Sequence, residues 1–169
     1  MKEIEVDGLQ FAFPDDWTLG RYDDWCFYKN QFHCMWQGIK AVDLIAVDAE
    51  RCRTLWLIEV KDYRQHQRTK PSELPDEVAR KVYDSSAAML PAKAHAVSEE
   101  QAVANKACGA RDLRVVLHLE QPRKHTKLFP RAINPTIVQQ KLRSLIKPID
   151  PHPKVVDRRD RNIRWQVVQ

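Results

Sequence analysis

The chain has 169 residues, of which 43% are hydrophobic and 30% charged, the size and composition of one globular domain that buries a real core. This excludes a persistently disordered chain, and its longest apolar runs, such as residues 55–58 (LWLI), fall far short of the roughly 20 residues a membrane-spanning helix needs. The net charge of +5 is unevenly spread: residues 1–110 carry 14 Lys and Arg against 18 Asp and Glu, whereas residues 111–169 carry 14 against 5, a one-sided positive charge that suits a polyanion such as nucleic acid.

In chain order, Ile4, Val6, Leu9, Phe11 and Phe13 flank Asp7-Gly8, a dipeptide suited to a tight turn, and predict an opening β-hairpin. A short helix is expected from about Trp17, ended by Gly20, and a strand somewhere between Trp25 and Trp36. Residues 39–48 (IKAVDLIAVD) and 54–61 (TLWLIEVK) read as two strands joined by a short polar hairpin loop. Leu74, Val78, Val82 and Met89 give helical spacing over 74–90, with Pro75 in the first turn and Pro91 as the expected break, and an alanine-rich helix follows over 92–107. Residues 112–120 (DLRVVLHLE) form the next predicted strand, and a basic loop spans 121–133. Asn134-Pro135 starts a helix with Val138, Leu142, Leu145 and Ile146 on its buried face; residues 150–153 are a linker, and 163–168 a last strand.

Four scattered cysteines without a CxxC pair support neither a disulfide framework nor a zinc site, and the first ten residues lack the apolar block of a signal peptide. A reducing, cytoplasmic setting is the expectation. With four glycines and no phosphate-cradling glycine loop, the composition speaks against a kinase or ATPase, and no serine sits in a nucleophile turn.

The residues that point to chemistry are Asp43, Glu59 and Lys61. Glu59 and Lys61 end an almost wholly apolar strand, where charges are costly unless they have a partner or a task. If residues 49–53 form a five-residue hairpin loop, paired positions sum to 102, so that Asp43 faces Glu59 and Lys61 shares their face. Two carboxylates this close repel, and a hard divalent cation, Mg²⁺ or Mn²⁺, relieves them, with the Val60 carbonyl as a further oxygen ligand. A plain ion pair between Glu59 and Lys61 at a strand end is the alternative. Arg80, Lys81 and Asp84 on the following helix either face this site or are exposed helical charges.

Asp43 in one strand and Glu59-x-Lys61 in the next, followed by a helix and another strand, resemble the PD-(D/E)xK, or restriction-endonuclease-like, nucleases over about residues 17–120. The resemblance implies an α/β fold with an αβββαβ core: a mixed central sheet flanked by helices, here with an N-terminal β-hairpin and a C-terminal helix-strand extension over 121–169 in a single domain. It further implies a metal-dependent endonuclease that cleaves DNA, with Asp43, Glu59 and Lys61 catalytic and Mg²⁺ or Mn²⁺ held by Asp43, Glu59 and Val60. Restriction or phage defence, repair and mobile elements are the settings implied, with DNA as partner and a homodimer or larger complex as the assembly. Arg64, Arg123, Lys124, Lys127, Arg131 and Lys141 are the candidate nucleic-acid contacts. Position 42 is Val where the motif's name has Pro, and the glutamine-tyrosine pattern of the RecB-like branch is missing from 74–90. A fold of this type that binds nucleic acid or a protein without cutting is the second reading.

Overall fold

The computed structural model describes residues 1–66, 68–70, 73–122 and 133–168. Its centre is a strand apolar on both faces. β5 (Thr54–Asp62) is buried from Thr54 to Val60, and alternation sends its side chains to two different cores. Leu55 and Leu57 face the helices, whereas Trp56, Ile58 and Val60 face a small second sheet. A strand buried this way belongs in the middle of a covered sheet, and β5 has neighbours on both sides.

The main sheet has the order β3-β4-β5-β6-β7, with β3 (Thr18–Arg21) and β4 (Leu44–Asp48) antiparallel to their neighbours, and β6 (Asp112–Glu120) and β7 (Lys154–Val156) parallel. It is a mixed five-stranded α/β sheet. The two parallel connections run through helices, as parallel pairing requires. α1 (Leu74–His95) and α2 (Ser98–Cys108) lead from β5 to β6, and α3 (Pro135–Ile146) leads from β6 to β7. The other face is covered by a three-stranded sheet, β1 (Lys2–Val6), β2 (Leu9–Phe13) and β8 (Gln166–Val168), in the order β1-β2-β8. Trp17, Trp56, Trp165 and Phe13 pack between the sheets with ring centroids 5.3–6.4 Å apart, and each such aromatic pair contributes about 0.5–1.5 kcal/mol beyond its buried area.

The opening hairpin forms as its sequence requires: Asp7 and Gly8 have φ of 51° and 75°, the left-handed values of a two-residue hairpin turn. The β4–β5 register also has the expected sum, with Leu44 opposite Ile58 and Asp48 opposite Thr54. β6 and the start of α3 lie where expected, and the Asn134 side chain accepts the Thr136 and Ile137 N–H groups as its cap.

Several expectations are corrected. No helix begins at Trp17; residues 18–21 are strand β3, because Gly20 leaves room for the buried Trp25 ring, which an added Cβ would meet at 2.8 Å. The strand expected between Trp25 and Trp36 is helical instead, with a π-helical turn at Tyr28–Phe32. Here the Glu100 carboxylate accepts the Cys26 and Phe27 N–H groups (2.7 and 3.2 Å), and Trp25, Phe27 and Tyr28 turn inward together. The first turns of the helical layer thus follow β3, where the αβββαβ expectation placed a helix before it. β4 is shorter than expected, starting at Leu44. Pro91 does not end α1, whose buried stripe of Val78, Val82, Ser85, Ala88 and Met89 continues to Ala92, so that packing offsets the missing hydrogen bond. α2 accordingly starts at Ser98. β7 forms just beyond the expected linker, and β8 covers only the end of its expected span.

Gly20→Ala is expected to destabilise the fold by about 1–3 kcal/mol, as overpacking of a fixed aromatic ring does. Urea unfolding checks this, and an unchanged midpoint would mean that the Trp25 ring moves aside freely.

Candidate functional site

Alternation along β5 decides where the charges go. Since Leu55 and Leu57 face the helices, so do Glu59 and Lys61, and the layer they meet is α1. Glu59 is 1% exposed. Its Oε1 accepts hydrogen bonds from Lys61 Nζ and from Lys81 Nζ of α1, the latter at 2.6 Å. Its Oε2 is buried without a hydrogen-bond partner. Asp43 lies one residue before β4, and its backbone carbonyl accepts the Tyr22 N–H (3.0 Å). From there its carboxylate reaches across to accept the Val60 N–H at 2.6 Å and lies 3.4 Å from Lys81 Nζ.

The three expected residues therefore come together, joined by Lys81. Two carboxylates face two ammonium groups, a nearly dry cluster balanced in charge. Its outer edge is Glu77, one turn before Lys81 on α1. Glu77 lies 3.6 Å from Lys61 Nζ and pairs with Arg68 (2.9 Å) and Lys70 (3.1 Å). Burial, and then repulsion from Asp43, push the Glu59 carboxyl up to about 7, although Lys61 and Lys81 pull the other way. Burial works against the Lys61 charge, but Glu59 outweighs it and the ammonium is held above its ordinary range. For Glu77 burial is likewise outweighed, and its hydrogen bonds to Arg68 and Lys70 draw it down to about 2.

Sequence reasoning left the role of Lys81 open and missed Glu77. The signal was the spacing of α1: each residue is four from the next and precedes a buried valine, Val78 or Val82, on the border of the apolar face. Arg80 does not join the site but pairs with Asp84 at 2.8 Å. Arg64 closes a fork on Asp62, with bonds of 2.7–3.0 Å. Lys141 pairs with Glu73 and with Asp76 (3.0 Å) beside the start of α1. Arg123, Lys124, Lys127 and Arg131 lie outside the described residues. Among the described residues no group of three or more His, Cys, Asp or Glu side chains is placed to hold a metal ion, so Asp43 and Glu59 with the Val60 carbonyl are the whole expected donor set. No described helix is long and apolar enough to cross a membrane.

Comparison with known proteins adds one similarity. The chain is 34% identical over 161 residues to a cysteine–tRNA ligase of Neisseria meningitidis serogroup A / serotype 4A, an alignment covering 77% of this chain and 23% of the relative. The chain thus spans about a quarter of the length of the curated relative it matches. No family model and no solved structure matches. This similarity overturns the expectation of a metal-dependent DNA endonuclease, and with it the enzyme class of phosphodiester hydrolase: the relative is named for a ligase that acts on tRNA, not for cutting DNA. The Asp-Glu-Lys set also has a structural use, because Lys61 and Lys81 pair with the carboxylates, leaving Glu59 Oε2 as the one unpartnered oxygen among them.

A raised pKa for Glu59 fixes the sign of its pH dependence. Its contribution to stability is fully present below about pH 4.5 and is lost as pH rises through about 7. Glu77 behaves oppositely, its contribution being present above about 4.5 and lost as pH falls through about 2. Carbon-detected NMR should find Glu59 titrating near 7, and higher still in Lys81→Met, which removes a charge that lowers it. Titration near 4.5 in both proteins would show that this carboxylate is not buried as described.

Proposed function

We propose that this chain is an aminoacyl-tRNA-synthetase-related module whose task is to bind tRNA. The observation that carries the reading is the 34% identity to a cysteine–tRNA ligase across 77% of the chain. Because the match covers 23% of that relative, the proposal concerns recognition of the RNA and not the whole ligation reaction. Charge supports it: residues 111–169 carry nine more basic than acidic side chains, and RNA is a polyanion whose binding releases counterions.

The same reading takes the core to be of restriction-endonuclease-like type. In support, Asp43 and Glu59-x-Lys61 lie at adjoining strand ends, with helices and then the parallel strand β6 after them. It also gives the carboxylate pair a cation, Mg²⁺ or Mn²⁺, held by Asp43, Glu59 and the Val60 carbonyl. Two carboxylates suit Mg²⁺ when phosphate oxygens complete its shell, and the unpartnered Oε2 of Glu59 supplies a free donor. Lys61 and Lys81 compete for the same oxygens, so the cation belongs to the RNA-bound state.

The test is a fluorescence-anisotropy titration at about 150 mM salt with a cysteine tRNA transcript and a DNA duplex of equal length, each with Mg²⁺ or with EDTA. Tighter binding of the tRNA, strengthened by Mg²⁺, is expected. Equal affinity for the two would contradict the tRNA reading, and identical curves in EDTA would remove the cation from it.

A further inference from the structure

Parallel strands place their carboxyl ends on one edge of the sheet, and in open α/β sheets that edge is where ligands collect. Here the carboxyl ends of β6 and β7, and Arg64 just beyond the end of β5, line the same hollow, of about 1160 Å³, whose described lining includes Glu120, Val156 and the turn 157–162. Pro135, the first residue of α3, also lines it, so the start of a helix lies beside the hollow. A second hollow, of about 730 Å³, opens beyond the turn toward Trp165 and shares Arg158, Arg159 and Arg161 with the first. The turn is thus a ridge of arginines between two open spaces.

What distinguishes this ridge from an ordinary charged loop is the use made of its acids. Asp157 accepts the Arg159 N–H (2.8 Å) and Asp160 accepts the Asn162 N–H (2.7 Å), so both carboxylates hold the backbone in shape. Glu120 is buried, bound by His118 at 3.1 Å and by the Arg158 N–H at 2.8 Å. Asp62 is closed on Arg64. Every acid on the rim is committed, whereas Arg159 and Arg161 are exposed and, among the described residues, have no acid within ion-pair distance. Their side chains stand on a turn already ordered by four hydrogen bonds: the two Asx contacts, the Asp160 N–H to the Asp157 carbonyl (3.0 Å), and Lys154 Nζ to the Asn162 carbonyl (3.1 Å). Little backbone entropy remains to be lost on binding.

We propose that this arginine ridge, at the carboxyl edge of β5–β7, is a phosphate-binding site that grips the sugar–phosphate backbone of the RNA, with Arg159 and Arg161 as the direct contacts. The inference rests on the tRNA-binding reading for the identity of the polyanion, and it adds the place of contact. Guanidinium groups suit it, since each forks onto two phosphate oxygens. The hollows on either side give the chain of phosphates room to continue in both directions.

The experiment measures anisotropy of labelled cysteine tRNA, and of an unrelated RNA hairpin, against the 169-residue protein, Arg159→Ala/Arg161→Ala and the control Lys93→Ala, at salt from 50 to 300 mM. Both arginines are exposed and Ala keeps the N–H that Asp157 holds, so the double variant should melt with the wild type. The expected result is a loss of about tenfold or more at 150 mM salt, with the slope of log K against log salt shallower by about 1.4–1.8, two phosphates' worth. Lys93→Ala should bind as the wild type does. Unchanged affinity and slope in the double variant, with tRNA still bound, would overturn the ridge and leave the tRNA reading standing. Equal binding of hairpin and tRNA, lost in the double variant, would keep the ridge and sink the tRNA reading. No binding of either RNA by the wild type would sink both.

Discussion

Everything in this fold depends on β5 being covered on both faces. A strand with Leu55 and Leu57 on one side and Trp56, Ile58 and Val60 on the other needs a layer above and a layer below, and the chain supplies helices for one and the β1-β2-β8 sheet for the other. The same alternation carries Glu59 and Lys61 under α1, where a buried carboxylate is tolerable because both Lys61 and Lys81 reach it. Core and charged cluster are therefore one arrangement, and a one-residue slip of β5 would destroy both.

Legibility from sequence followed the physics of each element. Local rules sufficed for the Asp7-Gly8 turn, the Asn134 cap and the β4–β5 register, because turn chemistry and period-two alternation act within a few residues. They failed where a distant residue decides. Residues 17–20 read as helical by local pattern, but the Trp25 ring requires a glycine in a strand there; the aromatic stretch from Trp25 reads as extended, but Glu100, some 70 positions away, holds the Cys26 and Phe27 amides and starts a helical turn. Pro91 looked like a stop because propensity is local, whereas the buried stripe that carries α1 on to His95 is tertiary.

The charged cluster shows the same limit in chemical form. Asp43, Glu59 and Lys61 were legible as a group, since the register placed them together, but their use was not. The sequence pattern pairs the two acids with Lys61 and a cation; the structure adds a second lysine within the fold, four residues from Glu77 and facing both acids. A motif defined by three residues does not reveal the fourth that balances it. The proposed tRNA binding rests instead on the similarity to a cysteine–tRNA ligase, and the proposed place of contact on the edge where three parallel strands, a helix start and the arginine turn converge.

The proposed RNA contact lies at this edge of the sheet. Ultraviolet cross-linking of the protein to cysteine tRNA, followed by mass spectrometry of the attached peptides, tests it without any substitution. The account predicts cross-links in the peptides around Glu120 and residues 157–162. Cross-links confined to the β1–β2 hairpin or to α2, with residues 157–162 unmodified, would contradict it.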